Sequence, residues 1–572
     1  MDMVHLKING IDVEVPKGYT ILQAAKEAKI EIPSLCYLKD INCIGACRVC
    51  VVEVKGRRGL TAACVYPVEE GMEVLTNTPK VRASRKTTLE LILSTHNKKC
   101  LSCERSDNCE LQKLANAYGV DEDRFTTEEP IYDIDESKYL VRDNNKCIMC
   151  RRCVAACKNV QGVSVIGPIE RGYKVHIGCA FELPLNESPC VGCGQCVVSC
   201  PVGALSVKSN EKQVWDAIAD PEKHVVFYTA PSIKATLGEG FGMPVGTNVE
   251  GKMVSAIRRL GVDKVFNMDF TADLTILEEA NELVERITQG KTLPMFTSCC
   301  PGWVKFVEHY YPEMIPHLST CKSPQGMFGA VIKSYYAQKN NIDPKDIFVV
   351  SVIPCTAKKF EADREELGDD VDVALTTREL ASMIKGAGIT FTDLDDEDYD
   401  APFNKATGGA AIFGATGGVL EAALRTAANM LDGDFEKVEF TEVRGPEAVR
   451  EAVYNVAGVE VKVAVTSGLA NARKLVEKIK NGEADYQMVE IMACPGGCVN
   501  GGGQPVQSDS VRNNVDLKGL RAKALYDYDA NCEFRGSHES PVIKTIYDEF
   551  FEAPGKHLAH ELLLTTYVNR GK

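Results

Sequence analysis

A chain of 572 residues has room for about four domains at roughly 150 residues each. Its 45% hydrophobic and 25% charged residues are ordinary for a globular protein, and a net charge of −15 argues against the basic face that nucleic-acid binding needs. The start, Met1-Asp2-Met3-Val4-His5-Leu6, has no basic region leading into an apolar stretch, and no apolar run approaches the roughly 18 residues of a membrane span. The expectation is a cytoplasmic protein with no membrane span and no nucleic-acid partner. There are 24 cysteines, most of them in five groups with iron-ligand spacing. In a large chain without a secretion signal, Cys-x2-Cys clusters point to a metal protein of a reducing compartment rather than a disulfide scaffold.

From the N-terminus, Val4, Leu6 and Ile8 alternate with polar residues, Asn9-Gly10 follows, and Ile11, Val13 and Val15 alternate again. This pattern predicts a two-residue β-hairpin. Thr20 is placed to cap a helix whose apolar positions are Ile21, Leu22, Ala24, Ala25 and Ala28. A loop with Cys36, Cys47 and Cys50 comes next, then a strand-like Val51-Val52-Glu53-Val54, then Cys64. Hairpin, helix and cysteine loop together resemble a 2Fe–2S ferredoxin domain, with these four cysteines as ligands and Cys43 as a spare.

A short helix predicted at 87–93 leads into His96-x3-Cys100-x2-Cys103-x5-Cys109. That spacing suits either a zinc knuckle or a 4Fe–4S cluster with one imidazole ligand. A position between two iron–sulfur modules favours the cluster, whose neutral imidazole lowers the negative charge and raises the potential. After an acidic stretch at 128–136, Cys147-x2-Cys150-x2-Cys153-x3-Cys157 recurs about 43 residues later as Cys190-x2-Cys193-x2-Cys196-x3-Cys200-Pro201. In paired runs of this kind the fourth cysteine crosses to the other cluster. Cys147, Cys150, Cys153 and Cys200 are therefore predicted to hold one 4Fe–4S cluster, and Cys157, Cys190, Cys193 and Cys196 a second.

Beyond about residue 210 cysteine becomes sparse. Strand-like runs at 225–228, 265–268, 294–296, 348–353, 461–465 and 488–492 alternate with helical stretches such as 274–287 and 469–479, which predicts an α/β region with parallel sheets. Three of these runs end in cysteine motifs: Thr297-Ser298-Cys299-Cys300-Pro301-Gly302-Trp303, Pro354-Cys355-Thr356-Ala357-Lys358-Lys359-Phe360-Glu361, and Met492-Ala493-Cys494-Pro495-Gly496-Gly497-Cys498. Carboxyl ends of parallel strands share one crevice, so cysteines about 200 positions apart can meet at one centre. Gln289-Gly290-Lys291-Thr292 lacks the earlier glycine of a P-loop, and Gly414-Ala415-Thr416-Gly417-Gly418 lacks dinucleotide spacing. The glycine-rich stretch reads instead as tight packing beside a cofactor.

The three C-terminal motifs resemble those of the di-iron (FeFe) hydrogenases, and the upstream motifs resemble the accessory domains of the long clostridial type; the likeness spans essentially the whole chain. It implies the reaction 2H⁺ + 2e⁻ ⇌ H₂ and a need for maturation enzymes. It implies a modular α+β architecture: a β-grasp 2Fe–2S domain at 1–79, a small His/Cys3 4Fe–4S domain at 80–125, a bacterial two-4Fe–4S ferredoxin domain at 126–209, and a large α/β catalytic domain at 210–572. The implied cofactors are one 2Fe–2S cluster, three accessory 4Fe–4S clusters and an H-cluster. In the last, Cys300, Cys355, Cys494 and Cys498 hold a 4Fe–4S cube, and Cys498 bridges it to a two-iron unit with carbon monoxide, cyanide and an azadithiolate.

By the same resemblance Cys299 is a proton-relay thiol, and Glu279, Glu282, Arg286 and Ser319 lie along a proton channel. Residues 279, 282 and 286 share one helix face, a spacing that by itself describes a solvated charged face. Lys358, Pro231 and Ser232 match groups around the cyanides, and Gln325 and Met492 match pocket-lining positions. Ile353 and Ala357 stand where methionine and serine are common. Electrons are expected by protein contact, from ferredoxin or a partner iron–sulfur subunit. Related chains also serve in NAD-linked (bifurcating) or formate-linked complexes. A hydrogenase-like assembly scaffold would lack Cys299 and the N-terminal cluster modules, and a sensory protein would carry an appended signalling domain.

Overall fold

The computed structural model describes residues 2–106, 108–120, 124–125, 131–430, 441–444, 448–456 and 459–571. The first part of the acidic stretch expected at 128–136 lies outside the described residues.

Met3–Ile8 and Ile11–Pro16 pair antiparallel through Asn9 and Gly10, whose φ angles of 51° and 85° are the left-handed values a two-residue turn requires. A five-stranded sheet follows in the order Ile11–Pro16, Met3–Ile8, Glu73–Leu75, Val51–Val54, Thr61–Ala62. Thr20 and Gln23 form a capping box at the start of Ile21–Glu27, whose Ile21, Ala24 and Ala25 pack into the sheet's core. The helix expected at 87–93 is longer, Pro79–Leu93, with Thr78 as its cap. Only Val81, Arg85 and Leu89 are buried along it, so its first half carries no apolar stripe to announce it.

In the next region Leu140–Arg142 pairs antiparallel with both Leu205–Val207 and Asp135–Glu136, and Ile166–Ile169 with His176–Cys179. The short helices Arg152–Ala155 and Gln195–Ser199 follow the two cysteine loops.

The C-terminal region holds two four-stranded sheets. One is wholly parallel, in the order Lys264–Asn267, His224–Thr229, Ile347–Ile353, Val373–Thr376. The other runs Met295–Phe296, Met488–Met492, Val459–Ser467, Val449–Val456, and its last strand is antiparallel. The expectation of parallel sheets is corrected at that edge strand, whose Arg450, Glu451 and Asn455 break the apolar pattern. Val373–Thr376 also escaped the sequence, being only four residues long. The helix Asp269–Gln289 sits between the two cores: Phe270, Leu274 and Leu277 join one, and Ala272, Ile276 and Leu283 the other. The end of the chain folds back onto this region, Lys322 N donating to Leu563 O at 2.8 Å and Thr565 N to Thr320 O at 2.8 Å. Among the described residues no helix is long and apolar enough to cross a membrane.

Candidate active site and the cysteine groups that lead to it

Each sheet delivers two strand ends to the same place. Thr229 runs into Ala230-Pro231-Ser232 and Ile353 into Pro354-Cys355 from one sheet; Phe296 runs into Thr297 to Cys300 and Met492 into Ala493-Cys494 from the other. They converge on a cavity that Cys299, Cys300, Cys355, Cys494 and Cys498 all line, with Pro231, Ser232, Gln325, Ile353, Ala357, Lys358 and Met492 in its wall. Gly414 lines it too, and the buried carboxylate of Glu490 holds the glycine-rich stretch there, accepting from Gly417 N at 2.6 Å and Leu420 N at 2.8 Å.

Burial pushes all five thiols up, Cys355 to about 12, so on their own they are neutral. A bound metal displaces such protons and converts the same groups into anionic ligands. Four thiols in addition to Cys299 on one dry cavity, with a buried ammonium beside them, are a donor set that fits a thiolate-bound iron cluster. Ala493 N already donates to Cys300 Sγ at 3.4 Å, the kind of contact that tunes such a cluster.

Lys358 is held by Glu361, Nζ to Oε2 at 2.7 Å. Burial works against its charge; Glu361, then Cys299 and Cys355, outweigh that and keep its pKa raised. Glu361 also accepts from Ser323 Oγ at 2.8 Å and Gln325 Nε2 at 3.1 Å, while Ser351 Oγ donates to Gln325 Oε1 at 2.9 Å. On the opposite wall Gln504 Nε2 donates to Ser232 Oγ at 3.3 Å and to the Cys498 carbonyl at 3.1 Å. Glu361 and Gln504 had no role in the sequence reading: Glu361 pairs locally with Lys358, but its bond to Gln325 spans 36 positions, and the bond of Gln504 to Ser232 spans 272.

Glu279, Glu282, Arg286 and Ser319 gather on the Cys299 side. Glu279 is fully buried, and its carboxylate oxygens make no close hydrogen bond; the Ser319 hydroxyl and the Ser298 N–H are their nearest donors. Burial, then the neighbouring Glu282, pushes its pKa up to about 8. It is also the neighbouring charge that acts most strongly on Cys299. Ser319 lies near it, but its hydroxyl donates to Glu282 Oε2 at 3.1 Å. Glu282 is fixed by Arg286, Nη2 at 2.6 Å and Nε at 3.0 Å from Oε1. The adjacent Glu278 takes no part; Tyr547 Oη and Gly555 N donate to it at 2.6 and 3.0 Å.

Upstream, the Cys36 thiol hydrogen-bonds with those of Cys47 and Cys64, and Cys50 with Cys64. Cys43 is exposed and its thiol donates to the Cys64 carbonyl at 2.8 Å, outside that set. His96 is buried with Nδ1 unpartnered, and Cys100, Cys103 and Cys109 are half-buried, with Cys103 against Gly203 of the next module. Cys147, Cys150, Cys153 and Cys200 line a second cavity. Cys157, Cys190 and Cys196 lie in the same apolar core as that group, and Cys193 reaches the wall of the first cavity. The modules are bonded at these groups: Asn42 Nδ2 donates to the carbonyls of Cys36 at 2.8 Å and Cys150 at 3.1 Å, and Arg105 to that of Cys200 at 3.1 Å. Thr356 Oγ1 donates to Gly192 O at 2.5 Å, and Gln195 Nε2 to Asn500 O at 3.0 Å.

The chain is similar to known proteins along its whole length. Residues 223–502 match the iron-only hydrogenase large subunit, C-terminal domain, and 515–570 the iron hydrogenase small subunit. Residues 1–79 match a 2Fe-2S iron-sulfur cluster binding domain, 85–124 the NADH-ubiquinone oxidoreductase-G iron-sulfur binding region, and 137–206 the ferredoxin-like domain of NADH-quinone oxidoreductase subunit 3. The chain is 47% identical to the NADP-reducing hydrogenase subunit HndD of Solidesulfovibrio fructosivorans over 100% of both chains. It is 42% identical to iron hydrogenase 1 of Clostridium pasteurianum over 98% of this chain and 99% of that one. A solved variant of the FeFe-hydrogenase HydA1 from Chlamydomonas reinhardtii superposes with a TM-score of 0.57 at 38% identity, covering 64% of this chain and 100% of that one. The chain belongs to the iron-only (FeFe) hydrogenases, of the clostridial type that carries 2Fe–2S and 4Fe–4S domains ahead of its catalytic domain.

Proposed function

We propose that this hydrogenase interconverts protons and H₂ in the cavity between the two sheets, where Cys300, Cys355, Cys494 and Cys498 would hold the cube and Cys498 would also serve the two-iron unit. When bound, that unit supplies the redox and hydrogen-splitting chemistry, which no side chain can. The chain's own work is placement, charge and proton transfer. Lys358, Pro231 and Ser232 would border the anionic ligands of that unit, and Gln325 and Met492 shape the wall. Cys299 gives and takes the proton at the cavity. Glu279, neutral at pH 7 and without a close hydrogen bond, is free to exchange it. Ser319 and Glu282, the latter fixed by Arg286, carry it outward.

The observation that carries this reading is the meeting of five thiols and the Lys358 ammonium on a single apolar cavity, with the buried carboxyl of Glu279 behind them. The remaining ligand groups are read as one 2Fe–2S cluster (Cys36, Cys47, Cys50, Cys64) and three accessory 4Fe–4S clusters. One of these has His96, Cys100, Cys103 and Cys109, and the other two share the paired runs. Their domains are read as 1–79, 80–125, 126–209 and 210–572. We place the enzyme in the cytoplasm, where thiols stay reduced. The test is expression with and without the dedicated maturation enzymes. Infrared bands of bound carbon monoxide and cyanide, and H₂ evolution, are expected only with them; substantial activity in their absence sinks the reading.

Electrons are read as arriving from a protein rather than from a nicotinamide bound to this chain, with ferredoxin as the donor. Similarity along the full length to a protein named as a subunit of an NADP-reducing hydrogenase supports a second reading, in which a partner iron–sulfur subunit is the donor. H₂ evolution by the purified single chain from reduced ferredoxin is compared with NADH or NADPH alone. Turnover from a nicotinamide without added protein refutes both readings.

A further inference from the structure

Lys305 holds a buried charge that no carboxylate among the described residues pairs with. It lies on the helix Pro301–Tyr310, which begins just after Cys300, and is only 6% exposed. Its Nζ donates to Tyr139 Oη at 3.0 Å and stands 4.2 Å from the centre of the Phe360 ring and 5.0 Å from that of Tyr139. Among the described residues no carboxylate comes within 4.0 Å of it. Glu308, one turn along the helix, is committed elsewhere: Arg364 contacts it at 2.7 and 3.1 Å and Arg570 at 2.9 Å. Glu366 pairs with the same two arginines at 3.4 and 3.3 Å. Two arginines and two glutamates cancel, and Lys305 is the excess.

An unpaired ammonium in a dry interior is among the most costly features a fold can contain, and an apolar side chain of the same length would avoid it. Burial drives Lys305 down to about 8, and the strongest opposing influence is the thiol of Cys190. The geometry leads to the same residue. Tyr139 Oη, the acceptor of the Lys305 bond, itself donates to the Cys190 carbonyl at 3.5 Å. Gly302 rests this helix on the same loop: a Cβ there would lie 3.7 Å from Val191 O and 4.0 Å from Cys193 Cβ. A 4Fe–4S cluster on four thiolates is anionic in both oxidation states and gains one more negative charge on reduction.

We propose that Lys305 is the counter-charge of the cluster on Cys157, Cys190, Cys193 and Cys196, holding its potential up so that an electron is stabilised there before it crosses to the catalytic cube. One electron enters the cluster from its iron–sulfur neighbour, and no bond forms or breaks. Lys305 touches no ligand; it acts through its field. The proposal rests on the ligand reading above, and the test separates the two.

The test is a redox titration of the fully loaded chain followed by electron paramagnetic resonance. Cys190→Ser identifies the signal of this cluster. Lys305→Met and Lys305→Gln remove the charge, and Lys305→Arg keeps it. At the parent's midpoint, the reduced-to-oxidised ratio of that signal is expected to fall tenfold in the Met and Gln variants, a shift of about 59 mV for a one-electron couple. The Arg variant stays within threefold of the parent, and the other cluster signals titrate unchanged. An unmoved midpoint in both neutral variants overturns the proposal, as does an equal fall in the Arg variant or a common shift of every signal. If Cys190→Ser alters no 4Fe–4S signal, the ligand reading fails and the counter-charge fails with it.

Discussion

The catalytic cavity has two sides that differ in kind. On the side of Cys193 the contacts are close and dry: Thr356 bonds to Gly192 O, and the Gly194 and Gly502 backbones meet with no side chain between them. On the side of Cys299 stand Glu279, Ser319, Glu282 and Arg286, with two buried oxygens that make no close hydrogen bond. Electrons tunnel and need proximity through packed matter, so a tight, apolar junction serves them. Protons hop between groups that can hold them near ambient pH, and such groups must be kept buried and incompletely bonded. One side maximises packing, and the other sacrifices it.

Substitutions on the proton side are expected to have the largest effects. Cys299→Ser keeps the shape of the relay and puts its proton out of reach near neutrality; turnover is expected to fall on the order of 100-fold or more, in line with loss of a proton-transfer group. The infrared bands of the diatomic ligands should persist, and their loss would make Cys299 a structural group. Glu279→Gln ranks second, with roughly a tenfold loss, and has a signature in stability. The pKa of Glu279 rises from 4.5 to about 8 on folding, so the native state keeps a proton that the unfolded chain releases. Its contribution is fully present below pH 4.5 and is lost as pH rises toward 8, at about 1.4 kcal/mol per pH unit. Denaturant unfolding of the loaded chain should therefore show a flatter stability–pH curve for Glu279→Gln across that window, and greater stability than the parent at its upper end. A steeper curve would mean that Glu279 is paired when ionised.

The cysteine groups proposed for the electron side could be picked out because cluster ligands sit at fixed short spacings, and the hairpin around Asn9-Gly10 was legible because alternation and turn chemistry agree. The proton side was not readable from the residues themselves. Glu278 and Glu279 are adjacent and identical in type, yet one is held by Tyr547 and Gly555 and the other faces Cys299; a helix turns side chains about 100° per residue, and composition does not say which faces inward. The resemblance to a family supplied that choice. Gln504 and Thr356 act through Ser232 and Gly192, far away in sequence, and the edge strand Val449–Val456 is broken by Arg450, Glu451 and Asn455.

The electron side contains its own comparison, between the two cysteine repeats. At matching positions the first loop has Met149 and Arg151, with φ of 54° and 61°, and the second has Gly192 and Gly194, both at 69°. The backbone is left-handed in both, so conformation does not explain why one uses glycine and the other does not; surroundings do. Arg151 is exposed, whereas a Cβ on Gly194 would fall 2.5 Å from Thr356 Oγ1 and 2.9 Å from Gly502 Cα. Gly194→Ala therefore adds about 1–2 kcal/mol of backbone strain to a clash with backbone that has no room to retreat. It should lower the unfolding midpoint and slow reduction of the catalytic cube relative to the outer clusters. Arg151→Gly is the smallest effect. It relieves a similar strain, and the added freedom of the unfolded chain returns about 0.4–1 kcal/mol, so stability is expected to stay within about 1 kcal/mol and internal electron transfer to be unchanged. Measured side by side by thermal unfolding and freeze-quench spectroscopy, the two variants must differ. If Gly194→Ala proved as mild as Arg151→Gly, the glycine loop would not be the junction with the catalytic region, and the electron path would have to cross elsewhere.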